Sequence, residues 1–138
     1  MLARVSSSLL LVACLAAPAF ALPPLPKYVE QHYSASPEYA KFVETFKTMK
    51  SKCDACHKPG ADKKAKGHGL NDFGKAVHDN FKHKDFSAAA KIAADDPEAA
   101  KQALALAAEA LQAAEQEKNA DGKPYGELIK AGTLPGTN

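Results

Sequence analysis

The sequence predicts a single all-α domain. Three observations carry this expectation: apolar residues recur at helical spacing in several segments, no run alternates with period two, and the longest periodic segment is rich in alanine. The 138 residues suffice for one domain, and 46% hydrophobic against 25% charged residues allow a buried core. Aromatic residues make up only 7% and tryptophan is absent, so the core is expected to be thin and open to another apolar filler.

Residues 1–21 read as an export signal. Arg4 gives the positive start, Ser8 to Ala17 the apolar run, and Ala19-Phe20-Ala21 the small-x-small pattern that places cleavage before Leu22. The run is too short for a stable bilayer anchor. A competing reading takes Leu11-Val12-Ala13-Cys14 as a lipoprotein signal with Cys14 lipidated, but residues 15–22 stay apolar where such chains turn polar. Either processing puts the folded part in the periplasm or outside the cell. Residues 22–36 open with prolines and are expected to be an extended lead-in to a domain spanning 37–138.

Ser36-Pro37-Glu38 then supplies a capping hydroxyl, a proline at the first helical position and an acid in the first turn. Tyr39, Phe42, Val43, Phe46 and Met49 follow on one helical face that runs into a cysteine motif. Residues 58–69, rich in lysine and glycine, read as a loop. A second helix is expected over 71–84, with Leu70, Phe73, Val77 and Phe81 on one side, and a short one over 87–94. Asp96 caps a long helix over 97–118, and a last short helix over 125–131 is closed by Gly132 and Pro135. About five helices result.

Net charge is only +2, but residues 41–91 carry twelve lysines against six acids, whereas 92–138 carry four against eight. A basic part and an acidic part are expected. Lysines 50, 52, 58, 63, 64, 66 and 75 crowd around the cysteine motif, either as a solvated surface or as a patch steering an acidic redox partner. A nearly neutral exported chain without an aromatic platform is a poor candidate for nucleic acid binding.

The motif is "KCDACHK". On a helical turn Cys53, Cys56 and His57 share one side, so two thiols and an imidazole address one planar ligand. Cys-x-x-Cys-His is the attachment pattern of c-type haem, with the thiols as thioethers on the ring and His57 as the proximal iron ligand. The second ring nitrogen of His57 should donate to a backbone carbonyl, which fixes the tautomer. Three other readings compete: a thiol–disulfide redox pair, which belongs in a βαβ context; a zinc site, which needs about four ligands; and a small-loop structural disulfide, which would stabilise little.

The order helix, CxxCH, loop, short helices resembles the small monohaem cytochromes c. More narrowly, "KCDACHKPGADKKAKGHGLNDFGKAV" and the closing "DGKPYGELIKAGTLPG" are similar to a planctomycete-type group of small exported cytochromes. Lys52, Cys53, Cys56, His57, Gly60, Lys63, Lys64, Asn71, Asp72, Phe73 and Gly74 match that pattern, and the similarity covers about residues 37–136. It implies one covalent haem c, with its iron, in a cytochrome c-like domain that carries single electrons and is not an enzyme. From the family only Cys53, Cys56 and the axial His57 carry over.

The methionine that mitochondrial-type relatives place after the motif has no counterpart, since the chain has only Met1 and Met49. Met49 belongs to the apolar stripe. Among the histidines, His32 is expected in a solvated loop and His68 beside the proximal ligand or in solvent. Helical periodicity puts His78 nearer the Phe73/Val77/Phe81 face than His83. His78 is therefore the expected sixth ligand, with His83 second. If neither binds, a vacant iron site would make the protein a gas sensor or a peroxidase-like enzyme. A haem-free thiol redox protein is the other alternative.

Overall fold

A computed structural model describes residues 25–135. It is all-α, with helices α1 (Leu25–Ser34), α2 (Ala40–Thr48), α3 (Asp72–Asp79), α4 (His83–Ile92), α5 (Pro97–Gln116) and α6 (Tyr125–Lys130). Two short 3-10 turns, Pro37–Tyr39 and Lys52–Ala55, precede α2 and carry the first cysteine. Among the described residues there is no strand, only the isolated bridges His57 to Leu70 and Lys118 to Pro124. No helix among them is long and apolar enough to cross a membrane. The export signal and Cys14 lie outside the described residues.

Helix α5 is the centre of the packing. Asp96 caps it as expected, its carboxylate accepting from the Glu98 and Ala99 amides at 2.9 and 3.3 Å. Its buried stripe is nearly all alanine, Ala103, Ala107, Ala110 and Ala114, interrupted by Leu111. Side chains this small let neighbouring backbones approach, and α1, α3, α4 and α6 all pack against α5. Bulk comes from the surrounding helices. Phe42, Phe46, Phe73, Phe81 and Phe86 are all buried, as are Tyr28, Tyr33 and Tyr125. The core is thus less thin than the composition implies, because its few aromatics are concentrated inside. Met49 packs against this cluster, as its place in the stripe requires.

Three expectations need correction. The stretch expected as an extended lead-in is helix α1, whose Leu25, Tyr28, Val29, His32 and Tyr33 follow helical spacing and turn onto α5 and α2. Pro26 is tolerated because it falls in the first turn, where an amide hydrogen has no intrahelical acceptor. Ser36 sits at a helix start but makes no capping bond; its hydroxyl donates to Glu38 at 3.4 Å instead. The single helix expected over 71–84 is broken. The Asn80 side-chain amide donates to the Ala76 carbonyl at 2.8 Å and to Glu117 at 3.0 Å, closing α3, and Lys82 at φ −80°, ψ 73° redirects the chain into α4.

Candidate functional site

Helix α2 stops where Met49 turns extended (ψ 134°), and the chain re-enters a tight turn at Lys52. The amides of Cys56 and His57 both donate to the Cys53 carbonyl, at 3.1 and 2.9 Å. That closes one helical turn and sets Cys53, Cys56 and His57 on a common side.

A loop of residues 58–70 returns to the same turn. The Lys58 amide donates to the Gly69 carbonyl at 2.8 Å, and the Asn71 amide to the Cys56 carbonyl at 2.9 Å. Asn71, 3% exposed, joins the loop to α3. Its side-chain oxygen accepts from the Gly74 amide at 2.7 Å, capping the helix, while its amide donates to the Ala55 carbonyl at 3.1 Å. One side chain therefore ties the cysteine turn to the start of α3. Gly74 permits the approach: a Cβ there would lie 1.9 Å from the Cys56 carbonyl oxygen. Sequence reading matched Asn71 and Gly74 to a family pattern without seeing what they hold together.

His57 Nδ1 lies 2.7 Å from the His68 carbonyl oxygen. As donor to that carbonyl, the ring leaves the Nε2 lone pair for a metal. His68 reaches this position with φ 54°, the one non-glycine residue of positive φ among those described, flanked by Gly67 and Gly69 also in that region. Its own Nδ1 is 3.2 Å from the Lys63 carbonyl. His68 thus meets His57 through its backbone, not its ring.

Cys56, His57 and His68 border a cleft of about 350 Å³ between the motif, α3 and α4. Leu25, Leu70, Val77, Phe81 and Phe86 form its apolar walls. His78 and His83 also border it, their rings 4.5 Å apart, and the His78 ring is 5.9 Å from that of His68. Their burial reverses the order expected from periodicity. The His78 side chain is 43% exposed with Nδ1 3.5 Å from Asp79. His83 is half-buried against Phe81, and its Nε2 is buried with no hydrogen-bond partner. The break between α3 and α4 is the cause, because one continuous helix would have kept His83 on the outer side. Burial, then the neighbouring His78, lowers the His83 pKa.

Neither Cys53 nor Cys56 is in a disulfide. Burial, followed by the nearby Cys53 sulfur, pushes the Cys56 thiol up to about 12. Such a thiol is a poor nucleophile near neutral pH, unlike the low-pKa cysteines of exchange enzymes. No group of three or more His, Cys, Asp or Glu side chains among the described residues is arranged to hold a metal ion on its own. The donor set instead fits a planar metal-bearing ring: one oriented imidazole, two adjacent thiols, an apolar cleft, and a buried imidazole nitrogen without a partner.

Of the lysines around the motif, Lys52 pairs with Glu30 at 2.6 Å and Lys75 with Asp72 at 2.9 Å. Lys58, Lys63, Lys64 and Lys66 are exposed on the loop. His32 is corrected outright. It lies on α1, its side chain 13% exposed, with Nε2 3.9 Å from Glu115. Comparison with protein-family models, with curated proteins and with solved structures found no match.

Proposed function

We propose that the protein is an exported, monohaem c-type cytochrome that carries single electrons between redox proteins and turns over no substrate of its own. The observation that carries this reading is the His57 Nδ1 to His68 carbonyl contact at 2.7 Å, within a CxxCH turn that faces an apolar cleft. A histidine oriented from behind by a backbone carbonyl is prepared to give a metal its other nitrogen. In this reading Cys53 and Cys56 hold the ring as thioethers and His57 is the proximal ligand. When bound, the haem supplies a reversible ferric–ferrous couple.

The chain's own residues do the rest. Leu70, Val77, Phe81 and Phe86 give the cleft apolar walls, which would favour the less charged oxidation state. Asn71 and Gly74 hold the cysteine turn against α3, so the site does not reorganise between states. The lysines of the 58–70 loop give that edge a positive potential suited to a partner with an acidic docking face.

Intact mass and absorption of the protein, produced with haem-attachment machinery, test the proposal. A mass increased by one haem, with a spectrum that sharpens on reduction, is expected. A colourless product of bare polypeptide mass would return the chain to the thiol-protein alternative. Rapid, complete carbon monoxide binding by the reduced protein would make it a gas sensor or peroxidase-like enzyme instead.

A further inference from the structure

We propose that His83, through Nε2, is the second protein ligand that the iron would take, with His57 the first. The inference rests on the haem c reading above. Buried polar atoms in folded proteins almost always have a partner, so each exception calls for an explanation. His83 Nε2 is such an exception, and it borders the same cleft as His57. A nitrogen without a protein partner, on an imidazole that borders an apolar cleft, is suited to a ligand that takes its lone pair.

The competing donors are all engaged or misplaced. Met49 precedes the motif and packs into the core cluster. His68 is on the loop that supports His57, with its ring nitrogen at the Lys63 carbonyl. His32 lies against Glu115 and is not part of the cleft. His78 borders the cleft, but its side chain is more exposed than that of His83 and its Nδ1 is 3.5 Å from Asp79. His83 also has the firmer support. It opens α4, its amide donates to the Phe81 carbonyl at 3.0 Å, and its ring lies edge-on to Phe81 at 4.9 Å. Side chains locked by packing give ligand geometry that exposed ones do not.

The test compares the wild-type holoprotein with His78→Ala and with His78→Ala/His83→Ala, each checked by mass for covalent haem. Removing His78 first prevents it from replacing a lost neighbour. Wild type and His78→Ala are expected to be low-spin and closed to carbon monoxide. The double variant should be high-spin, bind carbon monoxide at once, and return to low spin when free imidazole is added. Should the double variant lose its fold, His78→Ala/His83→Met, which keeps a donor at the site, is expected to be low-spin with a thioether signature. A low-spin double variant, a high-spin His78→Ala, or a His83→Met chain with no thioether signature overturns the assignment. The haem reading fails separately, by a wild-type product of bare polypeptide mass.

Discussion

Asn71 supports the site without facing the cleft. Its side chain satisfies the Gly74 amide and the Ala55 carbonyl, both inside the protein. Asn71→Ala leaves both without a partner, so a loss of about 2–4 kcal/mol in urea unfolding is expected. His68 separates backbone from ring. His68→Gly keeps the carbonyl and suits φ 54°, so stability within about 1 kcal/mol of wild type and an unchanged haem spectrum are expected. His68→Pro cannot adopt that φ; the carbonyl leaves His57, and the spectrum should broaden with a shifted reduction potential. A spectrum altered equally by both substitutions would put the role in the ring. The turn that gathers Cys53, Cys56 and His57 was legible in the sequence because its geometry depends on spacing alone. The roles of Asn71, Gly74 and the His68 carbonyl were not, since each depends on a partner 11 to 18 positions away.

Where α1 packs on α5, the half-buried His32 and the buried Glu115 side chains approach across the seam without a hydrogen bond between their nearest atoms. Glu115, 7% exposed, accepts from the Tyr39 hydroxyl at 3.0 Å and lies 3.9 Å from His32. Burial works to raise the Glu115 pKa, but interactions with His32, Tyr39 and Tyr33 outweigh it and hold the carboxyl below its usual value. The same carboxylate, after burial, helps push Tyr39 up to about 12. A carboxyl whose folded pKa is depressed stabilises the fold above its unfolded value, and that contribution is lost as pH falls through the folded value. Urea midpoints followed from about pH 6 to about pH 3 should fall more steeply in wild type than in Glu115→Gln. Parallel curves would show that the contact does not couple folding to protons. At this scale the sequence was read well where caps were strong, as at Asp96. It was misread at α1 because the nearby prolines outweighed a clear helical stripe, and at residues 80–82 because a tertiary contact to Glu117 ends α3.

Across the whole molecule, bulk and chemistry occupy different parts. Phe42 and Phe46 stack at 5.6 Å and Tyr33 packs on Phe42 at 4.8 Å, away from the cleft, whereas Phe81 and Phe86 line it. On the haem reading, a Cys53→Ala/Cys56→Ala chain is therefore expected to lose amide protection first in the 58–70 loop, α3 and the start of α4. Residues of α1, α2 and α5 should stay protected longer in hydrogen exchange. Uniform loss would mean that the ring is needed for the entire core. With the true partner, electron-transfer rates should fall steeply with added salt if the loop lysines steer the encounter, and a flat dependence would leave them as solvated surface. The all-α class was legible from periodicity, but the concentration of the few aromatics inside was not, because composition does not record position. The central place of α5 also bears on the order of events in time. Ribosomes make the chain from its N-terminus, so Cys53 and Cys56 are complete before the alanine helix that α1, α3, α4 and α6 pack against has been synthesised. Until that last third arrives, the thiols belong to an unfinished and open chain. On the haem reading, an attachment enzyme that must reach both sulfurs would find them fully open then, and only partly exposed afterwards.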